Sequence, residues 1–182
     1  ISAVTRFVSS NMFHSVQGRC IGSASNVPTI STNTSELDSH ADTMCAGSNC
    51  KTESTTGHTV RVKPFSDELG AIEEVPIGSV LTAYTHPSTG ECFILRFNEA
   101  LIFGDRLQSS LINPNQIRAH GATVSDVPKQ FDRTSTHSIV GIEERKGQTI
   151  NLPRSLREII SFLPTSYPTD EQNLYLLISV VQ

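Results

Sequence analysis

No stretch of this sequence approaches 18 consecutive apolar residues, which leaves out a helix crossing a membrane. A basic excess is missing as well. Fourteen Lys and Arg stand against 18 Asp and Glu, for a formal net charge of -4, and the basic residues form no run. Neutralising phosphates needs clustered cations, so a nucleic-acid partner is not expected. Residues 1–8 lack the basic start and long apolar core of a secretory signal. There is no initiator methionine, as expected of a fragment or of a segment cut from a longer polypeptide, between which the sequence does not choose. No glycine-rich phosphate cradle occurs, and Gly104-Asp105 and Gly141-Ile142-Glu143 read as single turns. The four cysteines, Cys20, Cys45, Cys50 and Cys92, match no paired zinc spacing. Reduced structural thiols are the leading expectation, with a disulfide and a metal site as the alternatives.

What is present is enough chain for one domain: 182 residues, of which 37% are hydrophobic and can form a core. Residues 22–35 are rich in Ser, Thr and Asn and read as a loop or linker, with 27–30 a candidate edge strand. Residues 59–63 alternate apolar and polar around Val60 and Val62. The run 75–83 is β-rich and broken by Gly78. A turn at 86–90, His-Pro-Ser-Thr-Gly, separates it from 92–97, and together they predict a hairpin. Residues 101–103 and 122–127 are further strand segments. Asn113 as cap, Pro114 in the first turn and Gly121 at the end predict a short helix over 113–121. Similar logic predicts a second helix over 153–160, with Leu156, Ile159 and Ile160 facing inward. The chain ends on an apolar run, 174–181. A lone terminal strand of that kind needs a partner, which points to an intermolecular sheet and a dimer. The class is mainly β.

The chemistry concentrates in Glu36-Leu37-Asp38-Ser39-His40-Ala41-Asp42-Thr43. Leu37 would anchor the end of a strand and Asp38 would follow at its tip. Two carboxylates at contact distance cannot both ionise, so a pair of them shares one proton. One then acts as base toward water while the other donates to a peptide carbonyl. A chain with a single such loop must dimerise to supply the second carboxylate, placing the site on a two-fold axis. Ser39 offers a hydroxyl that can lock two loops together, Ala41 keeps the cleft floor small, and Asp42 can accept hydrogen bonds from substrate backbone. Taken alone, an Asp-Ser pair is more often a surface turn.

This loop resembles that of the retropepsin-like aspartic proteases of Ty1/copia-type retrotransposon polyproteins. The family runs Asp-Thr/Ser-Gly-Ala/Ser, often followed by Asp in its retroviral branch, and His40 takes the glycine position. A subset of copia-like elements with Asp-Ser-His-Ala-Asp is more similar still. A second block, Leu101-Ile102-Phe103 through Leu111-Ile112-Asn113-Pro114-Asn115-Gln116-Ile117, resembles the family's apolar strand, paired aliphatics and following helix. Shorter blocks at 75–77, 126–129 and 161–165 look like the same subset, so that the resemblance covers 36–169. It implies an acid-protease fold with one catalytic loop per chain and a short helix after the core strand. Residues 1–35 would be an extension, 36–169 the protease core, and 170–182 a strand at the dimer interface. It further implies an aspartic endopeptidase acting on a retroelement polyprotein as a homodimer. Asp38 would be catalytic, Ser39, His40 and Ala41 would support the loop and dimer, and Asp42 would bind substrate backbone. No cofactor or metal is called for, and the setting would be intracellular, cytoplasmic or within a retroelement particle. The rival function is a non-catalytic homodimer that keeps the frame as a binding or assembly module.

Three readings of His40 stay open, because glycine permits backbone angles and close approach that a β-carbon can block. Its side chain points away, or it stands beside the carboxylates and tunes their protonation, or it accompanies a loss or replacement of the chemistry. The family's flap lies between the catalytic strand and the apolar strand before the helix. Two turns qualify: Gly57-His58, which is favoured for its nearness in chain to Asp38, and the turn at 86–90. Other constellations carry less. His40, Asp42, Cys45 and Cys50 are irregularly spaced for a metal, and a Cys45-His40 nucleophile pair has no oxyanion motif beside it. His14, His120 and His137 read as satisfied lone histidines, and Asp67, Glu68, Glu73 and Glu74 as a solvated acidic face.

Overall fold

A computed structural model describes residues 5–7, 34–64, 70–143, 147–157, 160–172 and 177–181. The strands in chain order begin with β1 (Thr5–Phe7), β2 (Thr34–Leu37), β3 (Cys45–Gly47), β4 (Lys51–Pro64) and β5 (Ile72–Thr85). They continue with β6 (Cys92–Gly104), β7 (Leu111–Ile112), β8 (Thr123–Ser125) and β9 (Ser138–Glu143). The last are β10 (Thr149–Pro153), β11 (Ser155–Arg157), β12 (Ile160–Ser166) and β13 (Leu177–Val181), and helix α1 (Pro114–Ala119) follows β7. The fold is mainly β, and its sheet is mixed. The pairs β1/β4, β2/β7, β3/β6 and β6/β13 are parallel, while β4/β5, β5/β6, β2/β12 and β9/β10 are antiparallel.

The hairpin expected around 86–90 forms as β5 and β6, with Thr85 opposite Cys92. His86 organises its turn, because Nδ1 accepts the N–H groups of Ser88 and Thr89. Gly78 does not break β5. A β-carbon there would collide with the carbonyl oxygen of Ser54 on β4, so glycine permits close approach of the two strands.

The hydrogen-bonded path runs β5-β12-β2-β7-β3-β6, and β6 pairs again with β5, so six strands close on themselves. Closure removes edges that would otherwise seek partners. The main core gathers Val80, Tyr84, Leu95, Phe97, Ile112 and Leu163 with their neighbours. A smaller cluster holds Cys45, Val62, Val75, Leu101, Phe103 and Leu111. Each large apolar side chain buried this way contributes roughly 1.5–3 kcal/mol.

Three expectations are corrected. The helix expected over 153–160 is instead a hairpin: β11 pairs β12 with Leu156 opposite Ser161, and Leu156 is exposed rather than inward. A helix this short is marginal on its own, and β12 offers ladder bonds to the same residues. Gly57-His58 forms no reversal but lies within β4, where Gly57, with φ of 78°, sits at a shift in the β4/β5 register. The terminal strand is not alone, because β13 lies between β6 and β9 and pairs with both. Its pairing therefore gives no ground for a dimer. The candidate edge strand at 27–30 lies outside the described residues. Among the described residues, no helix is long and apolar enough to cross a membrane.

Candidate functional site

β7 lies between β2 and β3, parallel to the first and antiparallel to the second. The two strands it separates are neighbours in the chain, and the segment joining them is the loop 38–44. Asp38 leaves β2 with its N–H donated to Ile112 O at 3.0 Å. Its Oδ1 accepts the backbone N–H of His40 at 2.8 Å and lies 3.4 Å from His40 Nδ1. The Asp38 side chain is 12% exposed and that of His40 80% exposed. The exposed imidazole therefore stands beside a largely covered carboxylate. Among the described residues, the non-glycines with positive φ are Glu74, Glu99 and His137. His40 is outside that group, so the backbone at position 40 accepts a β-carbon without left-handed strain.

The helix braces this loop. Asn113 caps α1 through Oδ1, which accepts the N–H groups of Asn115 at 2.7 Å and Gln116 at 3.4 Å. Its other end turns to the loop, where Nδ2 donates to Ala41 O at 2.5 Å. Ala41 itself is buried. One turn on, Gln116 Oε1 accepts the N–H of Met44 at 2.8 Å, and Thr43 Oγ1 donates to Glu99 O. Ser39 and Asp42 are exposed. Sequence reasoning marked Asn113 only as a cap and passed over Gln116. The amide spacing of 113 and 116 on one helical turn was the signal that both could reach one neighbouring loop.

Beneath the loop lies a buried polar cluster that was also missed. Asn49 Oδ1 accepts from Ser110 N at 3.1 Å and Ser110 Oγ at 2.6 Å. Its Nδ2 lies 3.0 Å from Ser35 Oγ and 3.0 Å from Thr165 Oγ1. Ser110 Oγ in turn accepts the N–H of Gly47 at 2.9 Å. The Asn49 side chain thus ties β2 and β12 to the segment entering β7, and Ser110 carries the tie on to β3.

The thiols take no visible part in chemistry. Cys45 is buried, and burial, with Asp38 and Asp42 nearby, pushes its thiol up to about 12. Burial likewise pushes Cys50 up to about 11, against a hydrogen bond with Ser110. A thiol held protonated is a poor nucleophile, which removes support for the Cys45-His40 pair. Cys45, Cys50 and Cys92 are free. Among the described residues, no three His, Cys, Asp or Glu converge as a metal site would need. His120 Nε2 lies 4.0 Å from Glu99, Glu73 pairs with Arg61, and Gly57-His58 lies within the exposed part of β4.

A cleft of about 710 Å³ opens beside the loop, with Leu37 and Ser39 in its wall. Its far side is built from the β8–β9 connection, with Lys129 and His137, and from Arg154 between β10 and β11. His137 is not the satisfied histidine expected. Its Nδ1 is buried without a hydrogen-bond partner and its backbone has φ of 50°. Burial lowers the pKa of Arg154, while the nearby Asp126 acts in the opposite sense. Comparison with family models, with curated protein sequences and with solved structures finds no match.

Proposed function

We propose that this chain is an aspartic endopeptidase of the retropepsin-like, Ty1/copia type, with the acid-protease fold, acting on a polypeptide as a homodimer. The observation that carries this reading is the setting of Asp38. It ends a strand, its carboxylate is held by its own loop, and that loop is braced by the helix following β7, the strand between β2 and β3. The resemblance at Asp38-Ser39-His40-Ala41-Asp42 and at the block 101–117 gives the family. The lack of a second such loop gives the dimer.

In the dimer, two Asp38 carboxylates share one proton across the axis. The ionised one takes a proton from water as the water oxygen bonds to the peptide carbonyl carbon. The protonated one donates to the carbonyl oxygen. Collapse of the tetrahedral intermediate breaks the C–N bond, and the amine leaves with a proton from the dyad. Ser39, exposed beside Asp38, meets its mate across the axis, and Asp42 accepts backbone N–H groups of the substrate. The flap expected at Gly57-His58 would be part of β4, which pairs with β5. The polyprotein substrate, and the intracellular setting, cytoplasmic or within a retroelement particle, follow from the resemblance alone.

A non-catalytic homodimeric module is the second reading. It is favoured by the imidazole of His40, which stands 3.4 Å from the Asp38 oxygen where the resembled family has glycine and no side chain. Purified protein and its Asp38→Asn variant, both checked for fold and for mass by sedimentation, decide between them on unfolded polypeptide substrates from pH 4 to 7. Cleavage by the parent that falls on the order of a thousandfold or more in the folded variant is the expected result. A folded, dimeric parent that cleaves nothing leaves the binding module.

A further inference from the structure

The cleft beside Ser39 holds positive charge that the protein leaves incompletely partnered. Arg154 Nη1 donates to Ser161 Oγ at 2.6 Å and Nη2 to Ser125 O at 2.6 Å. Both acceptors are neutral, and they use two of the five N–H groups a guanidinium carries. Nε is buried with no partner, as is Nδ1 of His137 in the same wall. The carboxylate in the lining, Asp126, is engaged by Arg118 at 2.6 Å. Lys129, exposed at the rim, adds a second cationic side chain to Arg154 in a protein whose net charge is -4. A half-buried cation hydrogen-bonded only to neutral acceptors, with its nearby carboxylate Asp126 already engaged by Arg118, gains from a planar oxyanion, which can take two parallel N–H bonds.

The volume and the other lining residues narrow the ligand. About 710 Å³ is far more than a bare ion fills. Leu37, Pro114, Pro128 and Leu156 give the cleft apolar wall on which side chains can pack. We propose that this cleft binds an acidic peptide segment, with a carboxylate against Arg154 and Lys129 and its neighbours against Leu37, Pro114 and Leu156. The carboxylate can belong to an Asp or Glu side chain or to a chain end. Ser39 is in the wall and adjoins Asp38, so the bound segment runs beside the catalytic loop. In that placement the inference rests on the protease reading, whereas the binding itself does not.

The test uses the full chain carrying Asp38→Asn, which binds without cutting. Fluorescein-labelled apolar peptides with one central Glu or Gln are compared by anisotropy, each as C-terminal acid and as amide. A Glu peptide that binds about tenfold tighter than its Gln counterpart in the amide form identifies a side-chain carboxylate as the ligand. Tightening seen only with the free acid identifies a chain end. Lys129→Glu, an exposed change, is expected to erase most of the preference and to leave the neutral amide peptide unaffected. Arg154→Lys is expected to erase it as well, with its fold checked by circular dichroism. If that variant unfolds, Lys129→Glu decides alone. Equal binding of all four peptides, or a preference that Lys129→Glu leaves intact, overturns the inference. Cleavage by the parent is scored separately. Cutting indifferent to acidic residues sinks only this site, and acid-selective binding without cutting sinks only the catalytic reading.

Discussion

One oxygen of the Asp38 carboxylate takes the backbone N–H of His40 at 2.8 Å and lies 3.4 Å from Nδ1 of the same residue. The residue at position 40 is therefore the one that closes the loop on the carboxylate. Of the three readings of His40, the side chain that points away from Asp38 is the one this geometry does not support.

Replacing His40 by glycine removes an exposed side chain from a position without left-handed strain. Stability is expected to change by no more than about 1 kcal/mol, chiefly through freedom gained by the unfolded chain. If the imidazole acts on the dyad, the pH–activity profile of His40→Gly changes shape. Unchanged pH dependence in a folded variant would end the idea that it does.

Asn113 has two tasks, and they can be separated. Asn113→Ala loses both the helix cap and the bond to Ala41 O, with the cap worth about 1 kcal/mol. Asn113→Ser retains a capping oxygen but cannot donate to Ala41. Both variants should show faster amide exchange over 38–44, with serine the more stable in urea. Loop exchange that is unchanged in the serine variant would mean that Ala41 does not depend on this bond.

Removing the amide of Asn49 takes the acceptor from the buried N–H of Ser110 and a donor from Ser35 and Thr165, which keep only their bond to each other. Unpaired buried groups each carry a desolvation cost, so Asn49→Ala is expected to lose roughly 2–4 kcal/mol in equilibrium unfolding. A loss below about 1 kcal/mol would place this residue among ordinary surface-like substitutions.

The two buried thiols predict an alkaline weakness. Both start from an ordinary value of 9.0, and burial raises Cys50 to about 11 and Cys45 to about 12. The stability they contribute is fully present below pH 9. Above it, unfolding releases a proton that the folded state keeps, so stability falls as pH rises toward those folded values. The slope approaches about 1.4 kcal/mol per pH unit for each thiol. Urea midpoints at pH 8, 9 and 10 should show this decline, and Cys45→Ala should flatten it.

Features written by neighbouring residues were legible in the sequence. The turn at 86–90 and the Asn113-Pro114 start of α1 each depend on residues a few positions apart, and each formed where expected. The Asp38 loop was visible as a motif, but its bracing was not, because Gln116 meets Met44 across 72 residues. The segment 153–160 failed for the same reason in reverse. Its local pattern suits a helix, and what makes it a strand is the ladder offered by β12. Asn49 carries no local signal at all, since its partners Ser35, Ser110 and Thr165 are scattered along the chain.

The six-strand closure also sets an order of events. Ser35 on β2 bonds Thr165 on β12 across 130 residues of sequence, so the strand that delivers Asp38 gains its antiparallel neighbour only when nearly the whole chain is available. Contacts of such separation slow folding, because the closure entropy is spent before they form. During synthesis the Asp38 loop would leave the ribosome long before β12, and its own strand would wait with one side uncovered. Assembly of the candidate site is in this sense a late step, timed by residues far from the carboxylate it serves.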